Sequence, residues 1–302
     1  MLLFPAEPFA GQIPDATYMP EVEETRRLGL DHALLDFEAL LDGNPRRALR
    51  WVPPSDEPRL AVFRGWMMRA EVYATLHEAL SERGLTLVNT PEQYRHTHHL
   101  PESFGVIERD SPRTVWLPAA TVDDVDREAV RTALSDFGTR PGIVKDYVKS
   151  RKHEWREACF IPDLSDTAGA LRVIDTFLQR QGEAFQGGLV LREFEEFAPL
   201  AEHSRSGLPL TREYRLFLLD GAVRTADEYW EEGDYPTADL PLEHFAALGQ
   251  RVDSHFFTMD VAQREDGMWR VMELGDGQVA GLPERMNVSR FYEALAPLLT
   301  PA

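Results

Sequence analysis

Phe256-Phe257-Thr258-Met259-Asp260-Val261-Ala262 and Trp269-Arg270-Val271-Met272-Glu273-Leu274 are two short, apolar-rich runs with Asp266-Gly267 between them. Each has the length and composition of a strand, and Asp-Gly tolerates the positive φ angles of a tight hairpin turn. Asp260 and Glu273 stand equally far from the centre of that dipeptide, so the hairpin sets them across from one another. Two carboxylates directly opposed on adjacent strands repel unless a cation lies between them, and hard oxygen ligands of this kind suit Mg²⁺ or Mn²⁺. The plainer alternative is an acidic pair on a solvated face.

Moving upstream, Glu213–Leu219 and Gly221–Glu228 flank Asp220-Gly221, a second hairpin signal, and Gly188–Phe194 is a further strand. Arg192 and Arg215 each interrupt an apolar strand. A guanidinium half-buried there needs a carboxylate or a phosphate, because an unpaired charge is costly to bury. The segment 140–156 gathers Arg140, Lys145, Lys149, Arg151, Lys152 and Arg156 against only Asp146 and Glu154. In a chain with 32 Lys+Arg, 51 Asp+Glu and a net charge of −19, such a local basic cluster suggests an anionic ligand, with a solvated basic face as the alternative. A strand over Gly142–Tyr147 would carry Lys145. Helices are expected over Asp124–Leu134, with Asp123 or Asp124 near its N-cap, over Thr167–Arg180, and over Val288–Leu299.

The first third alternates strands at Met1–Phe4, His32–Phe37, Leu60–Phe63 and Leu85–Val88 with helical patterns at Glu21–Leu28 and Met67–Arg83. Asn89–Pro118 holds four prolines and reads as a connection between domains. The expectation is an α/β (α+β) chain with one unit over 1–114 and a second, dominated by antiparallel strands, over 115–302. At 43% hydrophobic and 27% charged residues the chain can build a core. The single cysteine, Cys159, excludes an internal disulfide, and with no leader or membrane-length apolar run a cytoplasmic protein is expected. The acidic balance disfavours nucleic acid as a partner. Oligomeric state is not readable from the sequence.

Four segments taken in order, PGIVKDYVKS with Lys145, LVLREFEEF with Arg192, EYRLFLLDG with Arg215, and FFTMDVAQREDGMWRVMELGDG with Asp260 and Glu273, resemble the ATP-grasp superfamily. Within it they are similar to the clade named for two arginines and a lysine. The resemblance covers about residues 115–302 and implies an ATP-grasp fold preceded by a pre-ATP-grasp α/β domain. It implies that Lys145, Lys149, Lys152 and Arg215 meet the phosphates of ATP and that Arg192, Glu193 and Phe194 form the hinge at the adenine. Lys145 and Arg215 would also be catalytic. Asp260 and Glu273 would hold Mg²⁺ or Mn²⁺, with Asp276 replacing the asparagine that many relatives carry two residues after the glutamate, where this chain has Gly275. The implied activity is an ATP-dependent ligase joining a carboxylate, on a small molecule or a peptide, to an amine through an acylphosphate. A phosphotransferase, or a nucleotide-binding module without turnover, are the alternatives. No GxxxxGK[ST] phosphate loop is present.

Three weaker signals receive plainer readings. His96, His98 and His99 are expected in a surface loop, Cys159 as a packed thiol, and Tyr229-Trp230 at the edge of a pocket or in an acidic loop. Arg64 and Trp66 are candidates for contacting the acceptor.

Overall fold

The computed structural model describes residues 1–302 except 9, 203, 205–208, 237–239 and 300–302. Strands β1 (Leu2–Pro5), β2 (His32–Leu35), β3 (Arg59–Phe63) and β4 (Leu85–Leu87) form a parallel sheet in the order β2-β1-β3-β4. Helices α1 (Met19–Arg27), α2 (Phe37–Leu41), α3 (Pro45–Ala48), α4 (Ala70–Ser81), α5 (Pro91–His98) and α6 (Leu100–Ile107) accompany it. Both faces of β1 are covered: Leu3 packs with Leu35, Phe63 and Leu76, whereas Leu2 and Phe4 pack with Phe217, Phe256 and Phe291 of the C-terminal part. That double burial is why the strand reads as an unbroken apolar run.

Next come β5 (Thr114–Pro118), α7 (Arg127–Ser135), β6 (Gly142–Asp146), α8 (Trp155–Ala158), β7 (Phe160–Ile161), α9 (Thr167–Gln181) and β8 (Gly188–Glu193). These four strands make an antiparallel sheet in the order β5-β8-β6-β7, with α7 and α9 packed on its apolar face. A small hairpin of β9 (Pro199–Glu202) and β10 (Pro209–Thr211) leads to the last sheet. It is built from β11 (Glu213–Leu219), β12 (Ala222–Glu228), β13 (Phe256–Gln263) and β14 (Trp269–Asp276) in the antiparallel order β12-β11-β13-β14. Helix α10 (Leu242–Gly249) packs on one face of this sheet, and α11 (Val288–Leu299) closes the junction with the N-terminal layer. Among the described residues no helix is long and apolar enough to cross a membrane.

The expected α/β class and the two hairpins are present. At Asp220-Gly221 both residues have positive φ, 50° and 73°, and Leu219 pairs with Ala222, as a type I′ turn requires. The second hairpin reaches its register by another route. Its first pairs are Gln263 with Trp269 and Val261 with Val271, joined by a longer turn, and a bulge at Met272 then shifts the register so that Asp260 faces Glu273. Without that extra residue Asp260 would oppose Met272.

Three expectations are corrected. The segment 89–118 is no loose connection but contains α5, α6 and β5: Pro91 and Pro101 lie in the first turns of their helices, where a missing N–H costs nothing, and Thr90 with Gln93 forms a capping box. Helix α7 starts at Arg127 and is capped by Asp126, whose carboxylate accepts from the Glu128 and Ala129 amides, while Asp123 and Asp124 lie in a preceding single turn. Helix α4 begins only at Ala70, after a non-helical stretch in which Arg64 and Met67 meet the C-terminal part and Trp66 meets Tyr18 and Asp15.

Candidate active site

The strand pairings place Arg215, Asp260 and Glu273 side by side across β11, β13 and β14, on one face. Arg215 grips Asp260 through two bonds, Nε to Oδ1 at 2.8 Å and Nη2 to Oδ2 at 2.7 Å, and its Nη1 donates to the Gly281 carbonyl at 2.9 Å. From the other sheet Lys145 on β6, only 5% exposed, reaches Glu273 Oε1 at 3.2 Å. The acidic row is thus met by one cation from its own sheet and one from the facing sheet. The Glu273 side chain is open to water in the cleft, yet the crowded cleft still raises its carboxyl, and Lys145 beside it outweighs that effect and holds it below the usual carboxylate range.

The bulge has a chemical use. Unpaired in the ladder, Met272 offers its carbonyl to Arg192 Nη1 at 2.6 Å, while Arg192 Nε donates to Thr114 Oγ1 at 3.1 Å. Arg192 is 4% exposed, and its Nη2 is buried without a hydrogen-bond partner among the described residues. A buried guanidinium N–H with no acceptor is costly, and it is an open contact for an anion or carbonyl group.

Two cavities meet at this row. One, of about 420 Å³, is lined by Ile143, Trp155, Phe194, Phe197 and Met272 along with Lys145, Arg192 and Glu193. Trp155 and Phe194 of its wall pack with Phe160, on which Trp155 stacks while Phe194 meets both rings edge-on, with centroids 5.1 to 5.7 Å apart. An apolar, aromatic slot bordered by strand-end backbone suits a flat heterocycle. The other cavity, of about 340 Å³, is lined by Lys149, Arg215, Tyr229, Asp260, Asp276 and His98. Ser150, Lys152 and Glu273 border both, so they mark the passage from the apolar slot to the charged chamber. Buried Asp146 shapes the loop that carries them: it accepts from the amides of Val148 at 2.7 Å and Lys149 at 2.6 Å and from Gln181 at 2.8 Å.

Asp276 lines the charged chamber but is fully buried, and its oxygens are engaged by Asn89 Nδ2 at 2.6 Å and by the Gln278 amide at 2.9 Å. Burial pushes its carboxyl up to about 6, with those donors pulling the other way. Among the described residues no group of three or more His, Cys, Asp or Glu is gathered to hold a metal ion. Mg²⁺ needs no such cage: one or two carboxylates, phosphate oxygens and waters complete its shell. The Asp260–Glu273 pair fits that pattern, and the unpartnered Arg192 Nη2 beside the slot fits a ligand rich in acceptors.

Arg64 and the histidines need correction. Arg64 is completely buried and committed to protein partners: it pairs with Glu21 at 2.9 and 3.1 Å and donates to the carbonyls of Gly277 and Ala280. Trp66 is exposed, with its Nε1 on Asp15. His98 is not in a surface loop. It ends α5, is 5% exposed and stacks on Tyr94 at 4.8 Å, and burial above all pulls its imidazole down to about 3. The thiol of Cys159 is buried as expected, and burial pushes it up to about 11.

Glu213 was not singled out by the sequence reading. It shares the site face with Arg215, and burial plus the charge of Asp260 push it up to about 7. Its spacing of two from Arg215 on a strand is the signal that could have found it.

The ATP-grasp domain of the clade named for two arginines and a lysine, family 3, matches residues 134–295. No curated protein matches the sequence. Among solved structures, the RimK domain ATP-grasp protein from Sphaerobacter thermophilus superposes with a TM-score of 0.61 at 16% identity, over 99% of this chain and 98% of that one. D-cycloserine synthetase DcsG gives 0.59 at 19% identity, over 99% of both chains. The ATP-grasp ligase PsnB, in complex with minimal precursor, Mg and ADP, gives 0.56 at 14% identity over 99% and 98%. At these identities the likeness concerns the fold. With more than half of its length matched by the family, and with that fold across the whole chain, the protein belongs to the ATP-grasp superfamily, in the clade of two arginines and a lysine.

Proposed function

We propose that this protein is an ATP-dependent ligase that activates a substrate carboxylate as an acylphosphate and passes it to an amine. The observation that carries this reading is the Arg215–Asp260–Glu273 row, met by Lys145 and opening onto an apolar slot on one side and a charged chamber on the other. Adenine takes the slot walled by Trp155 and Phe194, beside the Arg192-Glu193-Phe194 hinge. The triphosphate runs past Lys145, Lys149, Lys152 and Arg215, and the chamber receives the acceptor.

Asp260 and Glu273 would be the residues that hold Mg²⁺. Asp276 serves the seam with Asn89 and takes no part in the metal shell, a revision of the role implied by the resemblance. When bound, Mg²⁺ offsets charge on the phosphate oxygens. Lys145 and Arg215 lie where charge builds on the transferring group, and their preorganised N–H donors favour that state. A carboxylate oxygen of the substrate attacks the γ-phosphorus and ADP departs. The amine then attacks the acyl carbon and inorganic phosphate departs, carrying that oxygen. No protein nucleophile is required, in keeping with a Cys159 thiol held in its neutral form.

Residues 1–114 would serve as the pre-ATP-grasp unit and 115–302 as the catalytic unit, in a reducing, cytoplasmic setting. Among the neighbours, PsnB binds a precursor peptide and DcsG is a D-cycloserine synthetase, so peptide and small-molecule acceptors are both within the reach of this fold. The test is oxygen transfer. A panel of ¹⁸O-labelled amino acids and carboxyl-terminated peptides is incubated with the enzyme, Mg²⁺-ATP and mixed amines, and phosphate is read by mass spectrometry. Label in the phosphate is the expected result. A stable phosphorylated product with unlabelled phosphate would make the protein a phosphotransferase.

A further inference from the structure

Lys152 borders both cavities, yet among the described residues its ammonium forms no ion pair. It is held by aromatic rings instead, with Nζ 5.2 Å from the Trp230 centroid and 5.5 Å from that of Tyr229. The same Tyr229 ring lies 4.8 Å from the guanidinium carbon of Arg215. One phenol thus touches two of the cations that the proposed function assigns to the triphosphate. The backbone that carries the ring is held: the Tyr229 amide donates to the Glu213 carbonyl at 3.0 Å, and Tyr235 Oη bridges that carbonyl and the Trp230 amide at 2.9 and 3.1 Å.

Resting on that reading of the site, we infer that Tyr229 is a positioning residue of the triphosphate subsite, holding Lys152 in the passage and backing Arg215. The choice of a ring has a physical reason. A carboxylate in its place would bind Lys152 more firmly but would neutralise the charge that a phosphate must meet, and it would repel the phosphate as well. A ring quadrupole attracts the ammonium without cancelling it, so the lysine is ordered and remains available. Arg215, already paired with Asp260, gains a flat backstop that restricts its swing and keeps its fork aimed along the row. Tyr229 itself touches no reacting atom.

The experiment compares binding of Mg²⁺-ATP and of AMP, by competition calorimetry, to the full chain and to Tyr229→Phe, Tyr229→Leu, Lys152→Met and the double variant Tyr229→Leu/Lys152→Met. AMP keeps the adenine and ribose contacts but lacks the β- and γ-phosphates. Tyr229→Phe retains the ring and is expected to bind ATP within twofold of wild type. Tyr229→Leu is expected to bind ATP about tenfold more weakly while AMP changes less than twofold. The double variant should be less than threefold weaker toward ATP than Lys152→Met alone, since both changes remove the Tyr229–Lys152 contact and only the backing of Arg215 is left to add. Equal losses for ATP and AMP, full additivity in the double variant, or wild-type ATP affinity in Tyr229→Leu would each overturn the inference. If Tyr229→Leu fails to fold, Tyr229→Met in the same cycle carries the test, with the same limits. Absence of ATP binding by the wild type would instead overturn the site reading on which this rests, and is thereby distinguished.

Discussion

Two arginine–carboxylate pairs invite comparison, because their local chemistry is nearly the same. Arg64–Glu21 and Arg215–Asp260 each join two guanidinium nitrogens to two carboxylate oxygens at 2.7 to 3.1 Å, and each arginine donates to backbone carbonyls of the segment after β14. Arg64 is 0% exposed, and Glu21 takes a further bond from Tyr292 Oη. Arg215 keeps 16% of its side-chain surface open, and it borders the charged chamber and the Tyr229 ring. The first pair is saturated by protein and can only be structural. The second retains an open side toward a cavity, and that remaining access marks the arginine that can meet a ligand.

Substitution should separate the two most sharply in turnover. Arg215→Met is expected to lower ATP-dependent turnover about 10³-fold, roughly 4 kcal/mol of barrier, by removing a fixed donor at the transferring phosphoryl group. Near-wild-type turnover in that variant would erase the distinction between the pairs. Arg64→Met should act on stability instead. It leaves Glu21 buried without its partner, at a cost of about 3–5 kcal/mol in chemical denaturation, while the KM for ATP of the folded fraction stays within about twofold. A change in KM comparable to the loss in stability would place Arg64 in the site after all.

The smallest effect concerns His98, whose buried ring stacks on Tyr94 and borders the same charged chamber as Arg215. Its imidazole titrates near 3 in the fold against 6.5 in the open chain, so the unfolded state binds more protons between those values. The stability this gives is complete above pH 6.5 and is lost as the pH falls below it, at up to about 1.4 kcal/mol per pH unit. His99, Lys149 and Lys145 reinforce the neutral form, and Glu273 opposes them. His98→Gln should flatten that part of the stability profile between pH 6.5 and 4.5 relative to wild type, as measured by urea unfolding. An unchanged slope would show that another group carries it.

The sequence made the hairpin-rich half readable because its signals are local: strand alternation, two Asp-Gly dipeptides, and charges interrupting apolar runs. The facing of Asp260 and Glu273 was inferable from their spacing, although the structure reaches it through a longer turn and the bulge at Met272. What stayed hidden depends on distant contacts. Arg64 looked available because nothing near it in sequence reveals Glu21 or the carbonyls of Gly277 and Ala280. His98 looked solvated because four prolines around it suggested a linker, whereas two of them open helices and Tyr94 buries the ring. The aromatic hold on Lys152 needed the end of β12 to meet the loop after β6, a meeting that no short-range pattern encodes.

The short backbone stretch from Gly277 to Gly281 is read from both sides: Arg64 of the N-terminal layer holds the carbonyls of Gly277 and Ala280, and Arg215 of the C-terminal sheet holds that of Gly281. Between them Gln278 is bound to the Phe63 amide and the Tyr73 hydroxyl, and just before the stretch Asp276 is bound to Asn89. This stretch acts as a ruler whose length is fixed to the residue. Lengthening or shortening it by one position would put one arginine out of step with its carbonyls while the other stayed in place. Chimeras that exchange the front and back halves of this chain must therefore carry this ruler together with both arginines, since neither half by itself specifies where the other begins to grip.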